Sequence, residues 1–255
     1  MKVNTGLDQS LIEELVKAFT GNTDDVLNDV KREYGWDTGN FKNGGSWDHR
    51  FERIKQVALH NNLVVLKRNR GIWTFICLLN IETGILYVFS KEKNLEKVIK
   101  NFGRKSIHYF HAFISINSGP VELYNQQMSL FSVLPEDYEE RRLTEVQKIL
   151  GEEYPSVNQV IFIVAQEENR KIVGVEAHYY NRYFELIDNE NWSSYVPEDE
   201  YGSIFVAEEE SIDNTDIVSV IPKVKQKVID QKHKHEKEIS KRKPVEHGLK
   251  EKGNS

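Results

Sequence analysis

Histidines, arginines and tryptophans carry the chemistry this sequence offers. His108 and His111 stand three residues apart in HYFHAFISIN, and His178 follows in a later apolar stretch. Histidines on neighbouring strands can ligate zinc, or supply the acid and base of RNA cleavage. Read as a strand, 108–117 sends His108 and His111 to opposite faces, which works against a shared metal. The plain alternative is a set of rim histidines bonded to nearby backbone. A catalytic set of His108, His178, Arg70 and Lys91 requires all four to converge in one cleft, with the cations steadying a phosphate. Arg53 and His60 match the loose R-x6-H spacing of all-helical ribonucleases. A second set, for ligand binding, is Arg68, Arg70, Trp73 and Trp47, with Trp36, Asp48, His49, Arg50 and Lys67 around it. Cations beside aromatic rings suit RNA or a nucleotide, through phosphate contact and stacking. The alternative there is a solvated basic turn beside core tryptophans. Glu176-Ala177-His178 stands where a restriction-type nuclease carries E-x-K, with histidine in place of lysine.

Motifs with stronger mechanics are missing. There is no GxGxxG or Walker A loop, no HExxH, no CxxC and no GxSxG. Nucleotide hydrolysis, zinc proteolysis and α/β-hydrolase chemistry therefore have no motif behind them. No metal and no cofactor is expected.

The elements that must position these residues centre on Leu63–Lys91, LVVLKRNRGIWTFICLLNIETGILYVFSK. From Ile72 the apolar residues alternate at period two, Glu82-Thr83-Gly84 marks a turn, and Ile85–Phe89 returns. Leu63–Leu66 is a third strand, reversing through Lys67–Gly71. Both faces of 72–80 are apolar, which suits a central strand, so Trp73, Phe75, Ile76 and Leu78 are expected in the core. Upstream, 7–34 reads as helix broken at Gly21-Asn22, with Asp8 or Ser10 as cap. Gly35–Trp47, with four glycines, reads as a loop, and Ser46 as the cap of a helix reaching His60. Downstream come a helix over Asn94–Asn101, a strand over His108–Asn117 and a helix over Tyr138–Leu150 stopped by Gly151. A strand over Asn158–Ala165 and a long return strand over Lys171–Ile187 follow, then a short strand at Ser203–Ala207.

The class is α+β: N-terminal helices, a central antiparallel sheet with flanking helices, and a disordered basic C-terminal tail. The regions are 1–60, helical; 61–222, the sheet region, expected to form one domain with 1–60; and 223–255, the tail. Charge divides along the same line. The chain has 34 Lys and Arg against 40 Asp and Glu, net −6. From Lys223 onward eleven cations face five acids, which leaves residues 1–222 at −12. An acidic body repels phosphate at long range, so RNA binding is expected only weakly and through the tail. No run of eighteen apolar residues is present, so no membrane span is expected. The single cysteine, Cys77, lies in the central strand as a small hydrophobe, and MKVNTGLDQS lacks a signal-peptide core, which together point to the cytoplasm.

The run TGILYVFSKEKNL, joined to RGIWTF upstream and FHAFISIN downstream, resembles a domain-of-unknown-function family of low-GC bacterial and prophage proteins. The resemblance spans residues 45–190 or so and transfers no catalytic residue. It implies a setting in phage–host or mobile-element conflict, as a toxin, a defence component or an inhibitor of one. Two functions follow as expectations. One is an intracellular protein-interaction module whose partner is another protein; the other is a small ribonuclease-like toxin acting on RNA.

Overall fold

The Asp8 carboxylate accepts the backbone N–H of Leu11 at 2.9 Å and so caps the first helix, α1 (Gln9–Thr20). The computed structural model describes residues 4–71, 73–118, 134, 137–168 and 171–197. After α1 come α2 (Asp24–Glu33) and α3 (Phe41–His60). The third helix starts inside the segment that its glycines mark as a loop. Packing gives a reason for glycine at 45: a Cβ there would lie 2.9 Å from Leu27 Cδ2, so a larger residue would require the Leu27 side chain to shift. Ser46 is not a cap; it sits inside α3 and accepts a hydrogen bond from Arg50.

Six strands follow, β1 (Val64–Arg70), β2 (Trp73–Asn80), β3 (Ile85–Lys91), β4 (Gln159–Glu168), β5 (Lys171–Tyr180) and β6 (Leu186–Asn191). They form one sheet in sequence order. Four neighbouring pairs are antiparallel, but β3 and β4 run parallel, so the sheet is mixed. A parallel pair needs a long crossover. Here it carries α4 (Glu92–Ile99), α5 (Tyr109–Phe113) and α6 (Tyr138–Leu150).

Three local details correct the sequence reading. β1 does not reverse at Lys67; it runs to Arg70, which pairs with Trp73 across Gly71 at φ +58°. His108–Asn117 is not a strand but α5 and a 3-10 turn. All five residues of α5 are buried, so its apolar run has no readable period. The return over Lys171–Ile187 is two strands, because Asn181 Oδ1 accepts the N–H groups of Tyr183 (2.9 Å) and Glu185 (3.0 Å) and folds the chain back.

Helices cover both faces of the sheet. Phe89 meets Phe19 of α1 at 5.2 Å. On the opposite face Phe75 stacks on Tyr109 at 4.3 Å and Phe162 meets Phe110 at 5.0 Å. The β2–β3 turn also anchors β4: Gly84, at φ +69°, accepts the Asn158 N–H at 2.8 Å. A Cβ there would lie 2.3 Å from Asn158 Nδ2, so glycine is required. Phe75, Ile76 and Leu78 are buried as expected, whereas Trp73 stays 38% exposed. No helix among the described residues is long and apolar enough to cross a membrane. The strand expected at Ser203–Ala207 and the tail 223–255 lie outside the described residues.

Candidate functional site

The site arises where two central strands part. β2 and β3 pair only through Cys77–Asn80 against Val88–Ile85. Trp73–Ile76 remain paired to β1, and Phe89–Lys91 to β4. Among these described residues no rung joins the two segments, so the sheet splits at that end. A cleft of about 500 Å³ occupies the split. Trp73 stays exposed for this reason: it begins β2 beyond the last β2–β3 rung.

Aromatic rings form much of the wall. Trp47 and Phe51 come from α3, Trp73 from β2, Phe89 from β3 and Tyr109 from α5. Trp47 and Trp73 meet edge to face at 6.5 Å, and Trp47 rests on Phe51 at 5.1 Å. The polar wall is Arg70, Ser90, Lys91, Asn94 and His108. No carboxylate lines the cleft among the described residues. Arg70 donates to the Ile107 carbonyl at 2.8 Å and lies over the Tyr109 ring at 5.8 Å. Those contacts orient the guanidinium without neutralising it, and its other donors remain for a ligand. Lys91 is partly neutralised by Glu167 at 2.7 Å.

His108 is held as a neutral ring. Its Nδ1 accepts the Phe110 N–H at 3.2 Å, capping α5, which puts the ring proton on Nε2. Burial above all, then the Arg70 charge and His111, hold its pKa down to about 3. His111 is bound still more fully. Its Nδ1 accepts the His108 N–H at 3.3 Å and lies 3.0 Å from the Tyr138 hydroxyl, and Nε2 meets the Val98 carbonyl at 2.8 Å. Burial lowers its pKa against the pull of that carbonyl. The two histidines thus cap a helix reciprocally, as a serine and a glutamate do in a capping box. That H-x-x-H spacing is the signal the sequence carried for a helix start here.

The structure therefore brings together Arg70, Lys91, His108, Trp47 and Trp73. It does not bring His178, which stands on β5 bonded to Glu176 at 2.8 Å and to Tyr180 at 2.9 Å. Arg68 is also elsewhere. It donates to the Ile149 carbonyl at 2.6 Å and the Leu150 carbonyl at 3.1 Å, and pairs with Glu153 at 2.7 Å, closing the C-terminus of α6. Arg53 holds the end of α1, donating to Gly21 and Asn22 carbonyls, while His60 bonds the Gln56 carbonyl on the same helix. Glu176 is taken up by His178 and Asn189 rather than by a free lysine. Among the described residues no three His, Cys, Asp or Glu side chains gather as a metal site.

The model of a family of unknown function, DUF5986, matches residues 4–243. The chain belongs to that family. No curated protein and no solved structure matches it. Residue roles in this DUF5986 member are thus read from its own geometry. The match takes in every described element from α1 to β6, so the cleft lies wholly within the DUF5986 region.

Proposed function

We propose that this protein is a nucleotide-binding module, taking a base against Trp47, Trp73 and Tyr109 and a phosphate on Arg70. The observation that carries this is the cleft itself, where aromatic rings and a guanidinium without an acidic partner share one wall among the described residues. Stacking serves any base, and guanidinium donors match phosphate oxygens. The volume of about 500 Å³ suits a ligand of that size. The acidic charge of the body makes such a local basic wall selective, because phosphate is attracted only where the wall is reached.

Binding is favoured over ribonuclease chemistry by the state of His108. A general acid–base pair works best with pKa values near the working pH. At about 3, His108 is neutral throughout the physiological range, so its Nε2–H is available as a fixed donor and not as a titrating group. The protein-partner reading rests on the lack of any site of motif strength in the sequence and on no placed group. A cytoplasmic setting and a part in phage–host conflict accompany the proposal, the first on the buried lone Cys77 and the second on the sequence resemblance alone.

Calorimetric titration of the full chain with adenosine monophosphate tests the reading. Trp73→Ala and Arg70→Gln are each expected to weaken binding by about tenfold or more, as loss of one stacked ring or one charged donor does. Absence of binding by the unaltered chain, or equal binding by both variants with their folds intact, would overturn it.

A further inference from the structure

The cleft continues into a second chamber of different character. That chamber, of about 380 Å³, shares Arg70, Asn94 and His108 with the first. Beyond them it is lined by Lys97, Asn101, Arg104 and Ser106, with His111 at its back. The first chamber is aromatic; the second has cations and small polar groups and, among the described residues, no carboxylate. Lys97 and Arg104 have no acidic partner among the described residues. Arg70 and His108 stand at the junction, where the guanidinium reaches either side and the neutral imidazole offers its Nε2–H.

We propose that the second chamber holds the phosphate chain of a nucleotide whose base lies in the first. The preferred ligand is then a nucleoside 5′-di- or triphosphate, free or as the 5′ end of an RNA. This rests on the nucleotide-binding reading and adds to it a direction and a phosphate count. Arg70 meets the first phosphate at the junction. Lys97 and Arg104 meet the later ones, which carry most of the added charge. Hydrogen bonds from a cation to an ionised phosphate are about twice as strong as neutral ones, so each further phosphate adds affinity while cations remain to meet it. His108, held neutral, presents a donor there without requiring acid conditions.

The test titrates the full chain with adenosine, its mono-, di- and triphosphate, and short RNAs bearing a 5′-hydroxyl or a 5′-triphosphate. The same series is run on a Lys97→Ala/Arg104→Ala double variant, with thermal melting as the check on folding. Affinity is expected to rise about tenfold or more from mono- to triphosphate in the unaltered chain. The double variant is expected to lose that gain while binding the monophosphate within about twofold. The same gain with triphosphorylated RNA identifies an RNA end as the source; gain with the free nucleotide alone identifies the small molecule. Equal affinity for mono- and triphosphate, or a gain that survives in the double variant, overturns the second chamber and leaves the first standing. Failure to bind the monophosphate overturns both readings.

Discussion

Trp47 and Trp73 meet edge to face, ring centroids 6.5 Å apart and planes at 87°, although one belongs to α3 and the other to β2. Neighbouring positions on β2 fare differently. Phe75 is buried between Tyr109 and Phe113, while Trp73 is 38% exposed at the cleft. Phe75→Ala is therefore expected to cost about 3–5 kcal/mol, and Trp73→Ala distinctly less, although Trp73 is the larger side chain. Urea midpoints of the two variants measure this. The reverse order would place Trp73 in the core and close the cleft.

Asn117 joins two strands where their own ladder has ended. Its Nδ2 donates to the Val160 carbonyl at 3.0 Å and the Tyr180 carbonyl at 2.7 Å, and its Oδ1 accepts the Val160 N–H at 2.7 Å. Asn117→Ala leaves those buried backbone groups without partners, at roughly 1–3 kcal/mol for each. The expected loss is about 3 kcal/mol or more in equilibrium unfolding. A loss below about 1 kcal/mol would mean that water or a strand shift replaces the side chain.

The neutral His108 makes stability depend on pH in one direction. Unfolded, the ring takes up a proton near pH 6.5; folded, it does so only near 3. Between those values the unfolded chain holds the extra proton, so stability falls as pH drops through that window. The slope is up to about 1.4 kcal/mol per pH unit from this group. His108→Asn keeps a side-chain cap on α5 and removes the titration. Denaturant unfolding at a series of pH values should show a shallower acid loss in that variant. Identical slopes would contradict the assignment.

Much of the frame was legible in the residues, and the reasons for the exceptions are physical. The alternation in β2 and β3 and the turn at Gly84 are local properties, so the hairpin could be read directly. Pairing of β3 with β4 depends on strands joined by a long crossover, and nothing in either strand marks the partner as parallel. The start of α3 was hidden because Gly44 and Gly45 are poor helix formers. Close packing against Leu27 of α2 accounts for glycine at 45. Helix α5 was hidden because it is buried on every side, which leaves no polar–apolar period to read. For the site, residue type alone singled out Arg70, Trp73, Trp47, Lys91 and His108. Arg68 and His178 have the same chemistry but are occupied by α6 and by Glu176. Lys97 and Arg104 gave no signal, because a lone exposed cation on a helix or loop looks like any other until a chamber forms beside it.

The central claim, a nucleotide base held against the indoles that line the split of the sheet, is tested most directly by the indole N–H resonances of the four tryptophans. Each is assigned by a Trp→Phe variant and followed in a nitrogen–proton correlation spectrum as adenosine triphosphate is added. Trp47 and Trp73 line the cleft; Trp36 stacks on Tyr34 outside it and Trp192 is buried. Progressive, saturable shifts of the Trp47 and Trp73 resonances, with those of Trp36 and Trp192 unmoved, are predicted. Saturable shifts at Trp36 or Trp192 with Trp47 and Trp73 unmoved, or no shift at any of the four, would contradict the account.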